Sequence, residues 1–321
     1  MTIDVHGHIS PPEALARFPM PRSLGDVEGM IERKLALGVE LTIVGSPVGA
    51  GAMVPLPAVD NYAQTEDELR RFHDWLAKTV ADHPQHLRAL VYANPFGGTR
   101  HLDAAADTLS GSEFVGFIVN TSVRGRYLDD PRAADFFALA AERDVPVVLH
   151  APAQPAAAGG LSDPRLVEQL GRWSDVTLGV ACCILGGWLE RHPDLKLVAT
   201  AGGGALSLLA ERLDVIHAPQ HWGAGGPPNQ RQLPISRPPS DYLDRIWMDT
   251  ASPSPRALAV NAAAFGTDRL MFGTDSPPLV GTVGPGLAAI DALDVPDSAK
   301  QAIRHGNAAR LFGLAEPQEE T

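Results

Sequence analysis

Short apolar runs alternate with longer amphipathic stretches along most of the chain. Continuous apolar runs separated by stretches with helical periodicity are typical of βα repeats around a parallel sheet. The predicted helices include residues 67–81, 131–143, 165–191 and 205–217. Eight runs, each followed by turn residues, are predicted to be strands: residues 3–9, 40–47, 88–95, 113–120, 145–151, 195–202, 245–252 and 269–277. Eight such repeats predict an α/β fold, a (β/α)₈ barrel in a single domain.

An open doubly wound sheet is the alternative architecture. Such a sheet normally carries a glycine-rich fingerprint after its first strand. Here the segment is HGHISPP over residues 6–12, which lacks that pattern. Three Gly-, Pro- and Ala-rich segments, 49–60, 151–160 and 218–239, are expected to be loops of the barrel. We therefore expect one barrel domain over residues 1–314 and a disordered acidic tail over residues 315–321.

Composition narrows the class of protein. The 321 residues are 45% hydrophobic and 20% charged, as in globular proteins. No apolar run approaches the roughly 18 residues of a spanning helix, and no secretory leader is recognisable, so we expect a cytoplasmic protein without a membrane partner. The net charge of −12 argues against a nucleic-acid partner. Adjacent Cys182 and Cys183 are poorly placed for a mutual disulfide and are interpreted as small buried apolar residues.

Candidate metal ligands lie at the ends of predicted strands. His6 and His8 are two residues apart, so on a strand both imidazoles point to the same side. His150 ends the fifth predicted strand and Asp275 lies near the end of the eighth. Alone, His150 would be expected to be a core histidine and Asp275 a turn residue. Because the carboxyl ends of barrel strands share one mouth, the four together predict a site for one divalent metal ion, zinc first, with manganese or iron as alternatives.

Several motifs resemble those of a known family. Besides DVHGHI at residues 4–9, they include NTSVRGRYLDD (120–130), LERHPDLKLVATAGGG (189–204), FGTDSP (272–277) and GNAARLFGL (306–314). In combination they resemble the amidohydrolase superfamily, in the branch that contains aminocarboxymuconate-semialdehyde decarboxylase and related nonoxidative decarboxylases. The resemblance implies a TIM barrel with His6, His8, His150 and Asp275 as metal ligands, and Asp275 also as a proton acceptor. The end of strand four, FIVN, lacks the carboxylated lysine of the two-metal branches, which implies a single metal.

One position departs from that family pattern. The resembling enzymes carry a proton-transferring histidine before the glycine run at the end of strand six, where this chain has Ala201. His217 and His221 follow the next helix, and His221 is the catalytic candidate that would replace the missing group; both would otherwise be ordinary surface histidines. The remaining histidines considered, His73, His83, His86 and His101, are interpreted as surface residues.

Substrate recognition is assigned to cationic and aromatic residues. Arg124 and Arg126 follow strand four and Arg212 lies on the helix after strand six, and each is a candidate to bind a substrate carboxylate, or else a surface charge. Trp188 and Trp222 are candidate aromatic walls, with buried packing as the alternative. The uncharged loop 49–57 suggests a hydrophobic portion of the substrate.

These observations predict a metal-dependent enzyme that acts on a small molecule, first of all a nonoxidative decarboxylase of a carboxylated compound. A hydrolase of a lactone, ester or amide is the alternative within this class. An oxygen-activating metal enzyme or a noncatalytic metal-binding barrel is the alternative of another class, because of Ala201. A homodimer is the assembly considered.

Overall fold

Eight parallel strands form a barrel in which each strand pairs with the next along the chain. The computed structural model describes residues 1–217, 232–252 and 254–314. The strands are β1 Ile3–His8, β2 Leu41–Gly45, β3 Leu87–Tyr92, β4 Phe114–Asn120, β5 Pro146–His150, β6 Lys196–Ala199, β7 Ile246–Asp249 and β8 Leu270–Met271. The ends of the ring meet where the amide of Val5 in β1 donates to the carbonyl of Phe272, the residue after β8, at 2.9 Å. The predicted (β/α)₈ barrel is confirmed.

Helices surround the strands. They are α1 Pro12–Arg17, α2 Val27–Leu35, α3 Glu66–Asp82, α4 Thr99–Leu109, α5 Ala134–Glu142, α6 Pro164–Leu166, α7 Arg172–Leu185, α8 Trp188–Arg191, α9 Leu206–His217, α10 Pro255–Phe265, α11 Val283–Asp291, α12 Asp297–Gln301 and α13 Asn307–Phe312. The longest, α3, begins with a capping box: the Thr65 side chain accepts from the amide of Glu68, and the Glu68 carboxylate accepts from the amide of Thr65. Since helices cover its outer side, every residue of β1 is buried.

The predicted strands all form, but several are shorter than expected. The eighth prediction spanned residues 269–277, whereas β8 contains only Leu270 and Met271. The residues after it leave the ladder and carry Asp275 in a left-handed backbone conformation (φ 56°). A short antiparallel hairpin, Ser122–Val123 with Arg126–Tyr127, follows β4 and was not expected.

The single helix predicted over residues 165–191 is wrong. The segment forms α6, a π-helical turn over Val167–Gly171, α7 and the separate helix α8. The break before α8 lies at Gly187, which is left-handed (φ 74°). Glycine adopts this conformation without the penalty that a Cβ atom incurs, so it ends α7 despite the apolar periodicity on both sides.

Two histidines interpreted as surface residues are instead packed inside. His73 on α3 is 5% exposed, and its Nε2 accepts from the amide of Tyr92. His101 on α4 is half-buried, and its Nε2 accepts from the amide of Asn94. Both imidazoles satisfy main-chain donors at the end of β3, where the strand ladder stops. Helical periodicity alone does not show this requirement.

Aromatic and sulfur-containing residues of α7 and α8 belong to the packed shell of the barrel. Trp188 is buried, stacks on Phe137 with 5.0 Å between ring centroids, and donates from Nε1 to the carbonyl of Leu128. Its role is therefore packing. Cys183 is buried and Cys182 partly buried, both as free thiols, and burial raises the pKa of the Cys182 thiol to about 12. Within the three described ranges, no helix is long and apolar enough to cross a membrane.

Candidate metal centre

Three histidines and one aspartate converge at the carboxyl ends of the strands. His6 and His8 come from β1, His150 ends β5 and Asp275 follows β8. One ligand atom of each side chain lies within 4.8 Å of the others. Nε2 of His8 lies 3.1 Å from Nε2 of His6 and 3.0 Å from Oδ1 of Asp275. The distance between Nε2 of His6 and Oδ1 of Asp275 is 3.7 Å. Ligand atoms about 2.1 Å from one shared ion are about 3.0–3.5 Å apart, so these separations fit a single cation.

Each imidazole is oriented by a hydrogen bond at Nδ1. Nδ1 of His6 lies 2.6 Å from the Asp249 carboxylate. Nδ1 of His8 lies 3.0 Å from the carbonyl oxygen of Gly45, and Nδ1 of His150 lies 2.7 Å from that of Ala151. When Nδ1 donates to an oxygen, Nε2 carries the free lone pair. These contacts occupy Nδ1 of each ring and leave Nε2 as the atom that would coordinate a metal.

The electrostatics favour the protonation states of a ligand set. Burial raises the pKa of Asp275, but the His6 charge and the hydrogen bond from His8 outweigh it and hold that pKa below its usual value. Burial, with His8 and His6 nearby, holds the pKa of His150 well below its usual value. Burial also lowers the pKa of His6, but the hydrogen bond with Asp249 and the charge of Asp275 outweigh it and raise the pKa to about 9. At neutral pH, Asp275 is therefore a carboxylate and His150 a neutral imidazole. His6 is protonated at that pH and would release its proton when a metal binds.

The buried ion pair of Asp4 and Lys34 holds His6 and the residues next to Asp275 in place. The Asp4 carboxylate accepts from Nζ of Lys34 at 2.7 Å and from the amide of His6 at 3.0 Å. It also accepts from the amide of Thr274 at 3.1 Å and from its hydroxyl. Nζ of Lys34 donates in turn to the carbonyl of Ser276 at 2.9 Å. Residues on both sides of Asp275 are therefore tied to β1 by one pair of charges that water does not reach.

The ligand set opens into a cavity of about 160 Å³. Asp275 is the most exposed of the four ligands, with 33% of its side chain accessible. The cavity is lined, besides the ligands, mainly by apolar or small residues together with Glu168, Gln169 and Arg172: Pro47, Val48, Met53, Ala151, Ala153, Trp173, Val176, Thr200, Ala201, Ala251, Pro278 and Leu279. The predicted loops 49–60 and 151–160 contribute Met53 and Ala153, as expected of loops at the active face.

The donor set identifies the kind of metal that fits. Imidazole and carboxylate donors without a thiolate suit zinc, manganese and iron.

Ala201 lies on the cavity wall in a left-handed conformation (φ 52°), where its methyl group cannot transfer a proton.

The other predicted site residues lie elsewhere. Arg124 pairs with Asp60 at 2.6 Å, Arg126 is exposed near Asp130, and Arg212 is exposed on α9. These three arginines and His217 are not among the residues that line the cavity of the ligand set. His221 and Trp222, like the tail 315–321, fall outside the described residues.

Four supporting residues were not identified from the sequence. Asp249 ends β7, so the same reasoning about strand ends that selected His150 also applies to it. Asp4 lies inside the DVHGHI motif but is not one of the four converging ligands. Lys34 and Arg172 have no distinguishing local signal, because both resemble ordinary charged positions of amphipathic helices.

Comparison with known proteins agrees with this geometry. The amidohydrolase family model matches residues 3–314. The 2-amino-3-carboxymuconate-6-semialdehyde decarboxylase of Dictyostelium discoideum is 24% identical over 199 residues, which are 62% of this chain and 53% of that protein, so the match spans about half of the relative's length. Decarboxylase orsB of Emericella nidulans is 27% identical over 274 residues, covering 80% of this chain and 75% of that protein.

The fold is shared with a solved structure as well. The 5-carboxyvanillate decarboxylase of Novosphingobium aromaticivorans, determined with bound manganese, has a TM-score of 0.76 at 18% identity, covering 98% of this chain and 97% of that one. The resemblance noted in the motifs is confirmed by the family match over nearly the entire chain. This chain belongs to the amidohydrolase family.

Proposed function

We propose that this protein is a divalent-metal-dependent enzyme that removes a carboxyl group, as carbon dioxide, from a small organic molecule without oxidation. The observation that carries the proposal is the convergence of His6, His8, His150 and Asp275 on one wall of a mainly apolar cavity. The two matched relatives named above are both decarboxylases, which supports this reaction over others of the family.

The residues that line the cavity have different roles in such a reaction. When bound, a divalent cation supplies Lewis acidity toward substrate oxygens. The buried apolar side chains of Val48 and Val176 on the cavity wall keep water from that side and strengthen the interactions of the charged groups. Nonoxidative decarboxylation replaces the lost carboxyl group by one proton, so a proton carrier must face the cavity. Among the described lining residues, the carboxyl groups of Asp275 and Glu168 are available for that transfer besides the ligand histidines.

For the metal we propose zinc or manganese. The imidazole and carboxylate ligand types favour zinc, and the manganese bound in the Novosphingobium structure supports manganese.

Hydrolysis of a lactone, ester or amide is the second candidate. It is favoured by the position of Asp275, whose carboxylate faces the cavity beside the ligand histidines and can accept a proton from an attacking water. An oxygen-activating or noncatalytic metal protein is the remaining interpretation, because the histidine otherwise expected at the strand-six position is Ala201. A homodimer and a cytoplasmic location stay predictions from the sequence.

The test uses the full chain reconstituted with Mn²⁺ or Zn²⁺ and a panel of aromatic carboxylates, lactones and esters in D₂O. Decarboxylation requires release of carbon dioxide together with one deuterium on the carbon that lost the carboxyl group. Asp275→Asn should reduce this rate by at least about a hundredfold, while the exposed Asp294→Asn variant should be unaffected. Turnover of esters or lactones alone would establish the second candidate. Tight iron binding with oxygen consumption and no carbon dioxide release would overturn both.

A further inference from the structure

Asp175 is a buried residue of α7 that is not one of the four converging ligands. Its carboxylate accepts four hydrogen bonds, all from uncharged donors. Oδ2 accepts from the hydroxyls of Thr121 at 2.5 Å and Ser122 at 2.9 Å. Oδ1 accepts from the hydroxyl of Tyr127 and from the amide of Ala157, both at 3.0 Å. A carboxylate only accepts, so an amide side chain in its place would turn a donor toward other donors.

One route from this carboxylate reaches the main chain of the ligand His150. Thr121 directly follows β4; its amide donates to the carbonyl of His150 at 2.9 Å, and its hydroxyl donates to Asp175. The backbone of α7 also packs closely on this residue, because a Cβ atom at Gly179, one turn after Asp175, would lie 2.5 Å from Cβ of Thr121. The main chain at the end of β5 is therefore tied to α7 through Thr121.

A second route reaches the imidazole of His150. Its Nδ1 lies 2.7 Å from the carbonyl oxygen of Ala151, and since a carbonyl oxygen only accepts, Nδ1 carries the hydrogen of this bond. The segment that begins at Ala151 is anchored on the carboxylate of α7, to which the amide of Ala157 donates. The amide of Ala156 donates at 3.2 Å to the hydroxyl of Ser122, which donates in turn to the same carboxylate. The anchored segment therefore fixes the acceptor of the imidazole.

We infer that Asp175 is a positioning residue of the metal centre, which holds His150 in its coordinating orientation through Thr121 on one side and the segment 151–157 on the other. The inference deepens the proposed function and rests on it for the presence of a metal alone. It also gives a role to the motif NTSVRGRYLDD at residues 120–130, which supplies the three hydroxyl donors of this carboxylate.

The test compares Asp175→Asn, Ser122→Ala and Tyr127→Phe with the parent chain. Tyr127 is the matched control, because its hydroxyl donates to the same carboxylate oxygen as the amide of Ala157 but lies on neither route to His150. Asp175→Asn and Ser122→Ala should weaken Co²⁺ binding by about threefold to tenfold, less than the loss of a direct partner of a ligand causes. Both should also shift the visible absorption of bound Co²⁺. Tyr127→Phe should change neither property.

Urea unfolding of the same variants separates positioning from stability. If Asp175 only supports the fold, the three variants lose stability but, once folded, bind Co²⁺ with the affinity and the spectrum of the parent. That result would overturn the inference. Should Asp175→Asn fail to fold, Ser122→Ala carries the comparison, because it releases the amide of Ala156 and removes one donor of the carboxylate.

The tautomer of His150 is a readout that needs no metal. In ¹⁵N NMR spectra of the metal-free chain, the parent and Tyr127→Phe should carry the hydrogen on Nδ1, whereas Asp175→Asn and Ser122→Ala should also populate the form with the hydrogen on Nε2. The same tautomer in all four proteins would contradict the inference. Failure of the parent to bind Co²⁺ would instead contradict the proposed function, and the tautomer comparison would still decide the role of Asp175.

Discussion

The Asp249 carboxylate lies 2.6 Å from Nδ1 of His6, on the opposite edge of the ring from the Nε2 atom of the ligand set. The other carboxylate oxygen accepts from the amides of Gly202 at 2.9 Å and Ala251 at 3.1 Å. Asp249 is therefore fixed by the loops after β6 and β7, and it fixes the orientation of His6. This is the carboxylate–histidine arrangement that commonly supports protein-bound metals.

We expect Asp249→Asn to weaken metal binding about 10- to 100-fold, because the amide holds the ring less strongly and raises its basicity less. Competition with a chromogenic chelator measures the effect. Asp244→Asn, exposed just before β7, is the control. An unchanged metal affinity in Asp249→Asn would show that His6 does not need this orientation.

Replacing His6 and His8 together by Ala should abolish metal binding, because two of the four ligands are lost. The parent should carry about one divalent ion per chain. Elemental analysis of dialysed protein gives the stoichiometry, and a His83→Ala/His86→Ala variant controls for nonspecific histidine binding. Full occupancy in the His6/His8 variant would rule out the assigned site.

Lys34→Met should destabilise the protein by about 3–5 kcal/mol, because it leaves the Asp4 carboxylate buried without its counter-charge. Urea unfolding measures the loss, and Lys78→Met, on the exposed side of α3, should change stability little. Adding Asp4→Asn to Lys34→Met should recover part of the stability. If the single variant is as stable as the parent, the pair does not hold the segment around Asp275.

Ala201→His should raise turnover by about 10²-fold on a substrate that the parent converts, by supplying a proton carrier on the cavity wall. The left-handed backbone at this position is adopted by histidine and asparagine more readily than by most residues. Ala201→Asn therefore controls for the backbone and for the added volume. An equal gain in both variants would assign the effect to packing instead of proton transfer.

His73 should make the protein sensitive to acid. Burial lowers its pKa from 6.5 to about 3, so the folded state resists protonation that the unfolded state accepts. Its contribution is complete above pH 6.5 and is lost as the pH falls toward 3, by up to about 1.4 kcal/mol per pH unit. His73→Gln should flatten this dependence between pH 6.5 and 4.5, as measured by urea unfolding at each pH. An identical slope in both proteins would contradict the buried neutral imidazole.

The sequence predicts the barrel and the four ligands for one shared reason. Apolar runs mark parallel strands, and the carboxyl ends of such strands meet, so His150 and Asp275 were placed beside His6 and His8 across long stretches of sequence. Residues whose role depends on tertiary packing cannot be predicted in this way. Lys34 has the local pattern of a helix surface, and its burial arises only when Asp4 and Ser276 are brought to it.

Arg124 and Arg172 also show that the contacts of a charged side chain cannot be predicted from its position in the sequence. Arg124 follows a strand end as a substrate-binding residue should, yet it pairs with Asp60. Arg172 lies inside a segment predicted to be one uninterrupted helix, whereas in the structure a π-helical turn over Val167–Gly171 precedes it and its side chain lines the cavity.

The closure of the barrel between Val5 and Phe272 also determines when the metal ligands can come together during synthesis and folding. His6 and His8 leave the ribosome early, whereas Asp275 follows only after seven further strands have been made. The complete ligand set therefore cannot exist on a growing chain, and full coordination is possible only once the last repeat has joined the first. A cation held by His6, His8 and Asp275 would therefore join the first strand to the segment after the last strand, and would need the finished barrel to be fully coordinated.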